Sequence, residues 1–201
     1  RSRRQRQMCI RDSNPLRLRR QLHAALGLMV RLGEALQQHY RGRRPELVIA
    51  DFTVPSAGLA AQAMGIAWWT SLPSPCVLET ADGPPAYFGG LLPASGRPQR
   101  IWHAIARRLT RGFKRSLHRC YRQQMRAAGL PALYRADGSE GVYSPHCVLA
   151  LGLPSFEFAR RWPAAVRFVG PQLCTPPNDV PPPRFIDGRR HVLVTLGTHL
   201  Q

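Results

Sequence analysis

The chain is expected to fold as an α/β protein built on a Rossmann-like, doubly wound parallel sheet. Three observations carry that expectation. Short apolar and β-branched runs alternate with amphipathic or small-residue segments of helical length. Most connections between them are short, as in strand–helix–strand units, whose crossovers should be right-handed. No apolar stretch approaches the roughly 18–20 residues that span a bilayer.

The ends come first, because they decide which residues to read. Residues 3–13, RRQRQMCIRDS, resemble the one-frame translation of a transposon-end sequencing adapter, so residues 1–13 are set aside as a non-native tail. At the other end the chain stops just past a strand and its glycine turn, where a helix is expected. Both ends read as cuts through a larger protein.

Residues 15–40 carry Leu22, Leu26, Met29, Leu32 and Leu36 at three- and four-residue spacing, the pattern of an amphipathic helix on a sheet. ELVIAD (46–51) is too short for a helix and reads as a buried parallel strand. VPSAGLAAQAMG (54–65) is a small-residue helix with Pro55 in its first turn and Gly65 at its close. IAWWTS (66–71) is the next strand. Residues 72–98 form a long irregular stretch, which in a compact domain points to function rather than mere connection. Residues 99–128 predict a second long helix, with Ile101, Ile105, Leu109, Phe113, Leu117 and Tyr121 along one edge and Gly129-Leu130-Pro131 stopping it. HCVLALG (146–152) and VRFVG (166–170) are two further strands. Residues 171–189 are Pro-rich and read as a semi-rigid linker, after which RHVLVTLGTH (190–199) restarts the strand pattern. The expected organisation is therefore a tail (1–13), a partial domain (14–170), a linker (171–189) and the opening of a second domain (190–201).

The net charge is +18, and removing five arginines and one aspartate of the tail leaves +14. Such a balance raises a nucleic-acid hypothesis. It is set low here, because Lys114 is the only lysine among 29 basic residues and the bias is that of a GC-rich coding sequence. Aromatic interleaving of the kind that stacks bases is also missing. Cys76, Cys120, Cys147 and Cys174 form no C-x-x-C pair, so neither a disulfide framework nor a zinc site is expected, and reduced, mostly buried thiols in a cytoplasmic protein are.

Each local motif is weak alone, but their order is informative. ELVIADFTVPSAGLAAQAMGIAWWTS, SPHCVLALG, VRFVGP, the Pro-rich linker and HVLVTLGT together resemble the macrolide and UDP-glycosyltransferase family (family 1) over most of residues 45–198. That resemblance implies a GT-B architecture: two Rossmann-like domains across a cleft, the first binding an acceptor alcohol and the second a nucleotide-sugar. It implies an inverting transfer of a hexosyl group from a nucleotide-diphosphate donor such as a UDP-sugar, with no metal and no other cofactor. In that scheme a histidine deprotonates the acceptor, worth roughly 10²–10⁴-fold in rate. An aspartate at a strand end fixes the imidazole tautomer.

Asp51 stands where the family carries that aspartate, at the carboxyl end of a strand, where open α/β sheets bind ligands. A turn or cap for the next helix is the competing role. The family's histidine lies upstream of the native residues here; His23, His39, His103, His118, His146, His191 and His199 do not match it and are assigned to helix surfaces and turns. Gly197 and Thr198 match the turn that approaches the donor diphosphate, where glycine allows close approach and a hydroxyl can bond a phosphate oxygen. Trp69, Tyr87, Phe88 and Trp102, with Trp68 and Leu91, fall where the family builds its acceptor pocket and suit a small lipophilic acceptor. For each aromatic taken singly, a place in the core is the competing role.

The 99–128 helix also bears Arg100, Arg107, Arg108, Arg111, Lys114, Arg115, Arg119, Arg122 and Arg126 with no acidic residue between them. This face reads as solvated, or as a basic amphipathic helix in peripheral contact with an anionic membrane, in bacteria the inner one. Cut at these ends, the chain is expected to be inactive. Two other classes stay open: a glycolipid or cell-wall precursor transferase of the same architecture, and a non-catalytic α/β binding module.

Overall fold

The computed structural model describes residues 15–88 and 91–171. The tail, residues 172–189 of the linker and the expected strand at 190–199 lie outside the described residues. Helix α1 runs Pro15–Gly42, strand β1 Leu47–Asp51, helix α2 Pro55–Ala63 and strand β2 Ala67–Leu72. After the irregular stretch come helices α3 (Arg97–Cys120) and α4 (Arg122–Ala127), then strands β3 (Val148–Ala150) and β4 (Val166–Phe168). The four strands form one sheet in the order β1-β2-β3-β4, every neighbouring pair parallel. The α/β parallel-sheet class read from the sequence is the class observed.

Alternation along the strands decides which face is covered. Val48 and Ala50 of β1 and Trp68 of β2 turn to the side on which α2 packs, joining Ala60, Ala61, Ile66 and Tyr40 of α1 in one apolar cluster. Helix α2 is made of small residues because the ring of Trp68 lies directly against it. A Cβ added at Gly58 would stand 2.1 Å from the Cε3 of Trp68, and Trp68 itself is only 2% exposed. Helix propensity alone favours alanine over glycine by about 1 kcal/mol. Overpacking against a fixed ring costs typically ~1–3 kcal/mol, occasionally more. Gly58→Ala is therefore expected to lower stability, seen as a fall in the urea midpoint with an unchanged slope. A raised midpoint would show the Trp68 ring able to yield. Helix α2 then ends where expected: Gly65 adopts φ +65°, and its N–H and that of Ile66 return to the carbonyls of Gln62 and Ala61.

A second cluster gathers Leu72, Leu78, Tyr143, Val148, Ala150 and Val166 around the other strands. Ser144 ties the two halves of the sheet together. Its hydroxyl donates to the Trp68 carbonyl at 2.6 Å, and its N–H donates to Thr70 Oγ1 at 2.8 Å.

Two expectations about the second long helix change. It is two helices: Tyr121, 9% exposed, takes φ −112° and ψ 26° between α3 and α4. Its basic residues are also not one solvated face. Arg107, Arg111 and Lys114 turn inward to the loops that precede and follow the helix, whereas Ile101, Ile105, Leu109 and Phe113 of the apolar edge stand 41–69% exposed. The inward face of α3 is held by charge, and much of its apolar edge is exposed. His103 is likewise buried, at 4% exposure, and not a surface histidine. The thiols of Cys76 and Cys120 are exposed and that of Cys147 half-buried, so the expected mostly buried set is not found among the described residues. No described helix is long and apolar enough to cross a membrane.

Candidate functional site

Asp51 is the last residue of β1 and lies in register with Ser71 of β2. It is exposed and, by alternation, shares its face of the sheet with Leu47, Ile49 and Trp69, opposite to the α2 side. The local sequence Asp-Phe-Thr-Val explains its conformation. The Asp51 Oδ1 accepts from the Thr53 N–H at 2.9 Å and from the Thr53 hydroxyl, and the Asp51 carbonyl accepts from the Val54 N–H at 2.9 Å. This is an Asx-type turn that passes the chain from strand to helix. Both hydrogen bonds fall on one carboxylate oxygen, so the turn is made without using Oδ2.

The irregular stretch leaves β2 at the same carboxyl end of the sheet. Within it Tyr87 takes φ +66°, a left-handed backbone that a bulky residue adopts only when its surroundings impose it. The Lys114 ammonium lies 4.5 Å from the centroid of the Tyr87 ring, within cation–π range. Tyr87 and Phe88 then form a wall between two hollows. One, of about 530 Å³, is lined further by Leu109, Phe113 and Leu117 of α3. The other, of about 460 Å³, is lined by Val77, Leu91, Phe156 and Phe158 among others.

The sequence-predicted aromatics therefore divide. Tyr87, Phe88 and Leu91 meet in these hollows. Trp69 sits half-buried within β2 on the Asp51 face and lines neither; Trp102 stands 49% exposed on the outer side of α3 and lines neither. Trp68 is core. Gly197 and Thr198 lie outside the described residues.

Sequence reasoning missed the cluster that fixes this wall. Glu79 accepts from Arg111 Nε at 2.7 Å, Lys114 Nζ at 2.7 Å and the Tyr134 hydroxyl at 2.9 Å. Lys114 also donates to Glu140 Oε1 at 2.7 Å. Burial pushes the Glu79 carboxyl up, but the hydrogen bonds from Lys114 and Arg111 outweigh it and hold Glu79 below the ordinary range. Glu140 has fewer donors, and burial pushes its carboxyl up despite Lys114. Burial would lower the Lys114 ammonium, yet the two carboxylates hold it raised. The signal lay in scarcity: only 11 acidic residues face 29 basic ones, and four of them, Glu79, Asp82, Asp137 and Glu140, flank a helix with no acid of its own.

No family model matches the chain. In sequence it is similar to 4'-demethylrebeccamycin synthase of Lentzea aerocolonigenes, 33% identical over 161 residues that cover 76% of this chain and 38% of that protein. A match to the crystal structure of the glycotransferase of kitacinnamycin covers 81% of this chain and 38% of that one, at 18% identity and a TM-score of 0.45. The chain thus spans well under half the length of either protein.

Proposed function

We propose that the chain is the larger part of the acceptor-binding domain of an inverting glycosyltransferase. The parent protein moves a hexosyl group from a nucleotide-diphosphate donor to the hydroxyl of a small lipophilic acceptor, without a metal or other cofactor. The observation that carries this reading is the placement of Asp51. Its carboxylate stands at the carboxyl end of a parallel strand, and the loop that builds the Tyr87–Phe88 wall leaves the same end of the neighbouring strand.

The chemistry follows from what each part contributes. An alcohol is a poor nucleophile at neutral pH and needs a positioned base. In this reading a histidine from outside the chain takes the proton, and Asp51 Oδ2 accepts its N–H and fixes the tautomer. The hollow beside Tyr87 and Phe88 is apolar and open to solvent, and it holds the acceptor by burying its hydrocarbon surface. Inversion follows from direct displacement at the sugar carbon by the activated oxygen. Gly197 and Thr198 are proposed to approach the donor diphosphate through backbone N–H groups and a hydroxyl.

The 33% identity to an enzyme named as a synthase of 4'-demethylrebeccamycin favours a natural-product acceptor over a lipid-linked precursor or a non-catalytic module. The test is transfer by the complete protein to a panel of lipophilic alcohols. The double change Tyr87→Ala/Phe88→Ala is expected to raise KM for the acceptor about tenfold or more, through two lost aromatic contacts, while KM for the donor holds. An acceptor KM that does not move would remove the hollow from the site. The 201 residues alone are expected to give no turnover with any donor, and measured transfer would refute that.

A further inference from the structure

We propose that the outer stripe of α3 is a docking surface for an anionic phospholipid bilayer. Ile101 and Ile105 are 62% and 41% exposed, Leu109 and Phe113 58% and 69%, and Trp102 beside them 49%. Residues at this spacing share one edge of a helix, so the five side chains make a continuous apolar ridge on the molecular surface. Scattered exposed apolar residues need no explanation; a ridge three turns long on a 24-residue helix does.

Charge chooses the occupant. α3 contains no acidic residue along its whole length. The carboxylates of Glu79 and Glu140 take up Arg111 and Lys114 on the inner side, and Arg107 donates to the Gly83 carbonyl at 2.9 Å. Arg97, Arg108 and Arg119 are exposed and border the ridge on the outer side. An apolar stripe bordered by arginine and crowned by a tryptophan is the pattern of a helix lying in the headgroup layer. Its apolar edge enters the acyl boundary while the guanidinium groups meet lipid phosphates. The sequence pattern suggested a basic face on the leaflet; the structure gives part of that face to internal ion pairs and offers the ridge instead.

Leu109 and Phe113 also line the Tyr87–Phe88 hollow, whereas Ile101, Trp102 and Ile105 do not, so the test is made at the latter and needs neither donor nor acceptor. Co-sedimentation of the chain with phosphatidylglycerol–phosphatidylcholine vesicles is expected, with much weaker binding to pure phosphatidylcholine. Ile101→Glu/Ile105→Glu, both outside the Tyr87–Phe88 hollow and exposed, should lower the partition coefficient about tenfold or more. Arg97→Gln/Arg108→Gln/Arg119→Gln should lower it about fivefold per residue. Brominated lipid should quench a fluorescence component that Trp102→Phe removes. Binding that survives Ile101→Glu/Ile105→Glu, or that ignores lipid charge, overturns the proposal. Failure to bind either vesicle also overturns it, and a dimer that dissociates in Ile101→Glu/Ile105→Glu would then assign the ridge to a second copy of the chain.

Discussion

Lys114→Met is expected to destabilise the fold by about 3–5 kcal/mol, the cost of removing one partner from a buried ion pair. Lys114 is the bridge between two carboxylates whose side chains are only 9% and 7% exposed. Methionine keeps much of the stem and its packing but leaves Glu79 with Arg111 and Tyr134, and Glu140 without a cation at Oε1. The Tyr87 ring loses the ammonium beneath it as well. Urea unfolding measures the effect, with the midpoint falling and the slope unchanged. A loss below about 1 kcal/mol, the value of a surface pair, would show that water screens the cluster. Adding Glu79→Gln and Glu140→Gln to Lys114→Met should restore part of the loss, because no ionised carboxyl then stays buried without its cation.

The same cluster sets a pH dependence of two opposing signs. Glu79 is held below its ordinary value of 4.5, so its contribution is present above that value and lost as pH falls through the folded one. Glu140 is raised above 4.5, so its contribution is full in acid and lost as pH rises through the folded value. Glu79→Gln should therefore remove a source of acid lability. Glu140→Gln should remove a loss of stability that accompanies the approach to neutral pH. Unfolding curves across this range, taken on each variant, distinguish the two.

What could be read in the sequence was set by how local the governing interaction is. β1, α2 and β2 were legible because period, small residues, Pro55 and Gly65 all act within a few residues of one another. Asp51 was placed at a strand end for the same reason, since ELVIAD sets the strand and Thr53 completes the turn. The break at Tyr121 and the orientation of α3 were not legible. A helix with an apolar edge and a basic face can turn either way, and the choice here rests on Glu79 and Glu140, 35 and 26 residues from Lys114 in sequence. Hydrophobic periodicity ranks apolar burial first; two desolvated carboxylates reversed that order. Trp102, expected beside the acceptor, is exposed on the outer side of α3 through the same reversal.

Asp51→Asn in the complete protein is expected to lower kcat/KM by about 10²–10⁴-fold, the range a positioned base supplies. The substitution separates the two roles open to Asp51. Thr53 donates to Oδ1 through both its N–H and its hydroxyl, and an asparagine oxygen accepts the same two bonds, so the turn into α2 persists. What changes is the other atom. Oδ2 becomes an NH₂ group, which donates and cannot receive an imidazole N–H, so the histidine loses its tautomeric control and its countercharge. Stability and acceptor KM should stay close to those of the parent while kcat collapses. Asp51→Ala removes both roles and should lower stability too. If Asp51→Asn turns over at the parental rate, the carboxylate is a turn former and nothing more, and the alcohol must lose its proton elsewhere.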